Sequence, residues 1–365
     1  MKKFIVSGGG TGGHIYPAIA IADEIKRREP DAEILFVGAN GRMEMEKVPK
    51  AGYPIEGLSI SGLPRKISLD LIKFPFKVAF SIMKARKIVK NFKPDMVIGT
   101  GGYASAPTLH AASGLGIPTL LQEQNSFPGK TNKSLARKAS AICVAYSGLD
   151  KIFNSDKVIE TGNPIRAEIF QQLPSKKEAL EFFGLPEGKK TILSIGGSLG
   201  SRNLNKAWEE QIEEIKKASD VQLIWQTGSS DYMGLIQKEK LKSDSIKILE
   251  FIYEMRMAYA AADVIVSRAG AIAISELCLV GKPVILLPLP WAAEDHQTKN
   301  AEALVKENAA ILIKDPEANQ KLVPTVLELL HNDSKMSNLA QNISQLAKPN
   351  ATKDIVNEIF RIIGK

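Results

Sequence analysis

This 365-residue chain is poor in the residues that build metal and redox centres. It has two cysteines, Cys143 and Cys278, both inside apolar runs and without C-x-x-C spacing, so they read as buried thiols of a reducing compartment. It contains no Asp-x-Asp, the usual holder of a metal-bound nucleotide sugar. The consecutive Glu294-Asp295-His296 cannot point all three side chains to one side of a helix or strand, so no metal is expected. No run of about 18 apolar residues occurs, which excludes a membrane-spanning helix. The first residues read directly as a strand, so no signal peptide is expected. Low-complexity tracts and short repeats are also missing.

What remains is a globular chain. Its 44% hydrophobic and 24% charged residues exclude disorder, and its length suits about two domains. The net charge of +8 is unevenly spread. Residues 1–163 hold 23 Lys and Arg against 14 Asp and Glu, whereas the remainder is nearly balanced.

Short apolar runs alternate with helical patterns throughout. Strands are expected at Lys3–Ser7, Ile34–Val37, Met96–Gly99, Thr119–Gln122 and Ala141–Val144. The alternation restarts with Thr191–Ile195, Gln222–Gln226, Lys247–Leu249, Val264–Val266 and Val284–Leu287. Strands separated by helices pair in parallel through right-handed crossovers, so the fold class is α/β, with two doubly wound domains in tandem. The join falls near Thr161–Arg166, where Gly, Asn and Pro interrupt the periodicity. A second break at Ala347–Asp354 precedes a last amphipathic helix, Thr352–Ile363.

In open parallel sheets, ligands bind beyond the carboxyl ends of the strands. Four strand ends here are glycine-rich or small: Ser7–His14 (SGGGTGGH), Gly99–Pro107 (GTGGYASAP), Gly196–Asn203 (GGSLGSRN) and Ser267–Glu276 (SRAGAIAISE). Glycine lets the backbone approach a ligand, and the next helix offers free N–H groups, so the set points to a phosphate-bearing ligand. The first loop carries the dinucleotide pattern Gly8, Gly10, Gly13. The second strand, however, ends in Gly38, Ala39 and Asn40, without the carboxylate that holds an NAD ribose. NAD is therefore disfavoured. His14 is a candidate general base, and the competing reading is a capping or core histidine. The N–H groups at Gly270 and Ala271 can cradle a diphosphate, and Glu276 can accept from a ribose diol. Otherwise Glu276 is a surface glutamate, and Ser198 is either a phosphate donor or a plain N-cap. Gln297 and Asn300 are amides suited to sugar hydroxyls.

The segment Gly62–Pro94 has nine basic residues, one acid (Asp70) and interleaved Phe74, Phe76, Phe80, Ile82 and Met83. Val78, Ile82, Ala85 and Val89 recur at helical spacing, with Pro75 expected to kink or start the helix. Such a helix suits an anionic bilayer, where each Lys or Arg contributes roughly 1 kcal/mol. A solvated charged face is the alternative. No zinc-finger, RNP or helix-turn-helix signature occurs, so nucleic acid is not an expected partner.

Taken together, GGGTGGHIYPAIAIA, GTGGYASAP, QEQNSFPGKTNK, TGNPIR, GGSLGSRNLN and SRAGAIAISE, in order from Lys3 to Asn300, resemble the MurG family of lipid-linked N-acetylglucosaminyltransferases. The resemblance implies a two-domain GT-B fold with a cleft between Rossmann-like halves. It implies inverting transfer of GlcNAc from UDP-GlcNAc to the 4-hydroxyl of MurNAc in lipid I, giving β-1,4-linked lipid II. Residues 1–163 with a C-terminal helix, 349–365, would form the acceptor and membrane domain, and 164–348 the UDP-GlcNAc domain. His14 matches the proposed base. Thr11, Gly12, Gly13, Asn125, Arg166, Ser198, Ile252 (backbone to uracil), Ala271, Ile272, Ala273, Ile274, Ser275, Glu276 and Gln297 match donor contacts. Tyr103, Glu123, Asn132, Asn205 and Arg268 match other cleft positions. The implied partners are UDP-GlcNAc, lipid I, the anionic cytoplasmic face of the plasma (inner) membrane through segment 62–94, and other cell-wall enzymes. The implied location is peripheral.

Two residues depart from the family. Gln122 stands where many members have His, and His296 precedes Gln297 where two glutamines are common. Another GT-B UDP-sugar enzyme, such as a glycolipid synthase or epimerase, is the nearest alternative, and an NAD-dependent oxidoreductase the more distant one.

Overall fold

Thirteen short strands form two separate parallel sheets in the computed structural model, which describes residues 1–62, 69–165, 172–197 and 199–364. Arg166 and Ser198 lie outside the described residues, as do Arg65 and Lys66 of the basic segment. The chain divides into two units, Met1–Arg166 with Lys348–Lys365, and Ala167–Ala347.

The first unit holds β1 (Lys3–Gly8), β2 (Glu33–Ala39), β3 (Ile55–Leu58), β4 (Met96–Gly101), β5 (Thr119–Glu123), β6 (Ala141–Val144) and β7 (Val158–Glu160) in the order β3-β2-β1-β4-β5-β6-β7. The second unit holds β8 (Lys190–Ile195), β9 (Val221–Gln226), β10 (Ile246–Leu249), β11 (Val264–Ser267), β12 (Val284–Leu286) and β13 (Ile311–Leu312) in the order β10-β9-β8-β11-β12-β13. The winding direction reverses between β1 and β4, and again between β8 and β11. Those four strands carry the four loops singled out from sequence, so each glycine-rich pair opens at a topological switch point.

The ten expected strands are present, each within about two residues of its expected ends. Three strands, β3, β7 and β13, escaped sequence reading, and all three are sheet edges of four, three and two residues. An edge strand has one paired side and partial exposure, so it lacks the continuous apolar run of a buried parallel strand.

Helices cover both faces of the first sheet. On one face, Gly12–Arg28 places Ile15, Ala18, Ile19, Ala22 and Ile25 against Phe4, Val6 and Phe36. The C-terminal helix Ala351–Ile363 adds Ile355, Val356 and Ile359 to that same core. Phe360 meets Phe4 edge to face at 6.2 Å, and Arg28 donates to Asn357 Oδ1 at 2.6 Å and to the Lys353 carbonyl at 3.0 Å. On the other face lies the basic helix Leu69–Phe92, whose Ala85, Ile88 and Val89 are buried. This helix does not start at Pro75: it begins six residues earlier, at Leu69, and continues past the proline. Phe76, Phe80 and Met83 stay 66%, 67% and 65% exposed on its outer side.

Ile359 is fully buried, so Ile359→Ala should cost about 2–5 kcal/mol of first-unit stability in urea unfolding. Exposed Asp354→Ala should stay within about 0.5 kcal/mol. Equal stability of the two variants would remove the C-terminal helix from the core.

Candidate active site

In the first unit, the loops after β1 and β4 touch backbone to backbone. The Gly9 N–H donates to the Gly101 carbonyl at 3.2 Å. Gly102 has φ +89°, and a β-carbon there would stand 2.2 Å from the Gly9 carbonyl oxygen. Gly101 has φ +104°, and a β-carbon there would stand 2.8 Å from the His14 ring. Only glycine fits either position. The first loop is also gripped from behind by Glu44, fully buried, whose carboxylate accepts from Gly10 N–H at 2.8 Å and Ala39 N–H at 2.9 Å.

The Gly10 N–H is thus used internally, and the outward-facing groups are those of the following helix. Thr11 is its extended N-cap and makes no side-chain cap bond. Gly12 and Gly13 occupy the first turn, whose N–H groups have no intrahelical acceptor, and no acidic side chain offsets the dipole there. His14 follows, half-buried. Its Nδ1 lies 3.0 Å from Gln124 Oε1, and its carbonyl accepts from Thr100 Oγ1 at 2.7 Å.

Glu123, Asn125 and Asn132 come together at the end of β5. The buried Glu123 carboxylate accepts from the Asn125 N–H at 3.0 Å, Asn125 Nδ2 at 3.1 Å, the Gly129 N–H at 3.2 Å and Asn132 Nδ2 at 2.8 Å. Glu123 is thereby the organiser of the loop rather than an exposed contact. Asn132 is buried, and its Oδ1 has no hydrogen-bond partner among the described residues. Tyr103 is 43% exposed, with the Arg42 guanidinium 5.8 Å from its ring centroid.

In the second unit, buried Gln226 holds the loop after β8, accepting from the Gly196 and Gly197 N–H groups at 3.0 and 3.2 Å and donating to the Gly197 carbonyl at 2.7 Å. Asn205 is buried and saturated: it donates to the Thr227 carbonyl at 2.8 Å and Asp231 at 2.7 Å, and accepts from Trp225 Nε1 at 2.9 Å. Arg268 bridges Asp315, Ser201 and the carbonyls of Leu287 and Pro288. These two side chains brace the loops from within.

The helix Ala271–Val280 starts at the extended residue Gly270, and its first turn holds no acidic residue. Ala271 and Ile274 are buried, while Ile272, Ala273, Ser275 and Glu276 are half-buried. Glu276 accepts from Tyr259 Oη at 3.3 Å. Desolvation raises its pKa to about 7, against the opposing effect of that hydrogen bond. Ile252 has a buried side chain, and its backbone N–H and C=O bond to no other described residue. Gln297 accepts the Leu289 N–H at 2.9 Å through Oε1, beyond a bend where Glu294 and Asp295 adopt φ of +55° and +53°.

Two family models match the chain: the glycosyltransferase family 28 N-terminal domain over residues 4–144, and its C-terminal domain over residues 191–359. The chain belongs to glycosyltransferase family 28. This family 28 chain is 55% identical to a Cytophaga hutchinsonii protein named UDP-N-acetylglucosamine--N-acetylmuramyl-(pentapeptide) pyrophosphoryl-undecaprenol N-acetylglucosamine transferase, over 99% of the chain and 97% of that protein. A Parabacteroides distasonis protein of the same name is 52% identical over the full length of both. Among solved structures, Acinetobacter baumannii MurG shares 28% identity at a TM-score of 0.80, covering 99% of this chain and 100% of that one. The MurG resemblance and the doubly wound α/β architecture drawn from sequence both hold.

Sequence reading passed over Glu44, Gln124, Gln226 and Thr100. Gln124 was inside a quoted motif, yet nothing in a single sequence distinguishes an amide aimed at His14 from one aimed at solvent.

Glu276 holds its proton to about pH 7 when folded, against an ordinary value of 4.5. The folded state therefore binds more protons than the unfolded one across that window, and stability falls as pH rises through it. Glu276→Gln should flatten the decline in Tm between about pH 4.5 and 7. An unaltered Tm–pH slope would mean that the carboxyl titrates normally.

Proposed function

We propose that this chain transfers GlcNAc from UDP-GlcNAc to the 4-hydroxyl of MurNAc in lipid I, forming the β-1,4 linkage of lipid II. The observation that carries this reading is full-length identity above 50% to proteins whose name states that transfer. The local chemistry agrees with it. Breaking the sugar C1–O bond puts negative charge on departing UDP. The helix start at Gly270, the first-turn N–H groups of Gly12 and Gly13, and Arg166 are suited to meet that charge. Ile252 has an N–H and a C=O that bond to no other described residue, the pair needed to read a uracil edge. Glu276 would take the ribose diol, whose two donors favour the carboxylate over the buried acid. His14 removes the proton from the attacking hydroxyl as the new C1–O bond forms. Ser198, Asn125, Gln297 and the residues Ile272 to Ser275 complete the donor side in this reading, and Tyr103, Glu123, Asn132, Asn205 and Arg268 hold other cleft positions.

The acceptor's lipid keeps the reaction at the cytoplasmic face of the plasma membrane. Among the described residues no helix is long and apolar enough to cross a bilayer. The outer side of Leu69–Phe92 instead combines Phe76, Phe80 and Met83 with exposed Lys73 and Lys87. Aromatic insertion flanked by lysines suits an anionic surface, and peripheral attachment there would bring the chain to its acceptor and to other cell-wall enzymes.

Incubation with labelled UDP-GlcNAc and a short-chain lipid I analogue should yield a lipid II analogue and UDP. His14→Ala should retain UDP binding and lose at least about 100-fold in kcat. Label recovered as a C2 epimer, with no acceptor consumed, would indicate an epimerase of the same fold. In a second test, Phe76→Ser with Phe80→Ser should reduce binding to phosphatidylglycerol-containing vesicles without altering turnover on a water-soluble acceptor. Unchanged vesicle binding would remove this helix as the docking face.

A further inference from the structure

Beneath His14 runs a closed chain of buried amides. Asn163 Nδ2 donates to the Gln124 carbonyl at 3.1 Å, and Asn163 Oδ1 accepts from Gln122 Nε2 at 3.0 Å. Gln122 Oε1 in turn accepts from Gln124 Nε2. That same Nε2 donates to the Thr100 carbonyl at 2.7 Å. Gln124 Oε1 then faces His14 Nδ1 at 3.0 Å. All three amide residues are at most 2% exposed.

The polarity of this chain has no freedom. A backbone carbonyl only accepts, so the Gln124 carbonyl forces the NH2 end of Asn163 toward itself. That leaves Asn163 Oδ1 for Gln122, which must answer with Nε2 and turn Oε1 toward Gln124. The Thr100 carbonyl independently demands the NH2 end of Gln124. Both anchors give the same answer, so Gln124 presents an oxygen to the imidazole. An amide oxygen cannot donate, and a bare Nδ1 facing it would set two lone pairs against each other.

We infer that Gln124 is a positioning residue that fixes His14 as its Nδ1–H tautomer and so makes Nε2 the basic nitrogen. The inference rests on the reading of His14 as the base, and it names the atom that takes the proton. On transfer, O4 bonds to the sugar C1 as the C1–O bond to UDP breaks, its electron pair leaving on the diphosphate, and the acceptor O4–H proton goes to the Nε2 lone pair, giving an imidazolium with both nitrogens protonated. Its Nδ1–H continues to donate to Gln124, so the ring keeps its orientation through the step. Gln122 has a defined part in this. It stands where many family members have His, and it serves as a buried link whose oxygen holds Gln124 and whose nitrogen is held by Asn163.

The chain has four histidines, so the imidazole nitrogens can be resolved by long-range 1H–15N correlation on 15N-histidine protein. The His14 set is identified as the one lost in His14→Ala. Above the titration of the ring, His14 should show a protonated-type Nδ1 and a bare Nε2, the less populated form of free histidine. The opposite pattern in the parent protein overturns the inference, whatever the activity of any variant. Gln124→Met should move the ring toward the Nε2–H form. It should lower kcat by at least about 100-fold, the scale of losing a general base, while KM for UDP-GlcNAc stays within about twofold. A folded Gln124→Met chain with the parent's tautomer and kcat also overturns it. If His14→Ala keeps full turnover, the base assignment fails, and the tautomer measurement still decides the role of Gln124 on the ring. Should Gln124→Met not fold, the parent spectrum alone remains decisive.

Discussion

The first unit depends on a contact with no side chains in it. Where the sheet reverses its winding, the loops after β1 and β4 meet through Gly9, Gly101 and Gly102, and the nearest approach leaves no room for a β-carbon. That closeness lets one N–H and one carbonyl join the two loops, and it opens the flat space beside Gly101 that the His14 ring fills. A larger residue at either position would separate the loops, displace the helix start and turn the ring. The functional geometry thus begins as a packing constraint at a switch point, which is where parallel sheets gather ligands for topological reasons.

A division of labour follows in both units. Polar side chains that sequence alone would assign to substrate are often consumed inside the protein. Glu123 accepts four hydrogen bonds, Asn205 makes three, and Arg268 is spread over an ion pair, a hydroxyl and two carbonyls. Glu44 and Gln226 each take two backbone N–H groups, and each reaches a glycine loop distant from it in sequence. Between them these side chains fix the backbone of the loops and helix starts they hold. Backbone dipoles oriented before a ligand arrives stabilise developing charge most strongly.

The sequence revealed the architecture because buried parallel strands write themselves as apolar runs, and the glycine loops mark where those runs end. It concealed β3, β7 and β13 because edges are half exposed and short. It concealed Glu44 because one of its partners, Gly10, comes from a distant loop, and no local pattern announces such a meeting. Gln122 stands in sequence only as a departure from the common His. In the fold it is a member of an amide chain with Gln124 and Asn163; the motifs record these residues and Thr100, but not that they meet. The MurG motifs, by contrast, were legible in full, since a family signature needs only order and spacing.

The C-terminal helix has a consequence for how the protein is made. Ile355, Val356 and Ile359 share a core with Phe4, Val6 and Ile15, so the earliest and latest parts of the chain complete one another. During translation the first unit keeps an apolar face uncovered until Ala351–Ile363 is made, after the second unit, Ala167–Ala347, has been synthesised. Nascent chains of this protein therefore pass through a stage in which the half that was synthesised first is the half still unfinished.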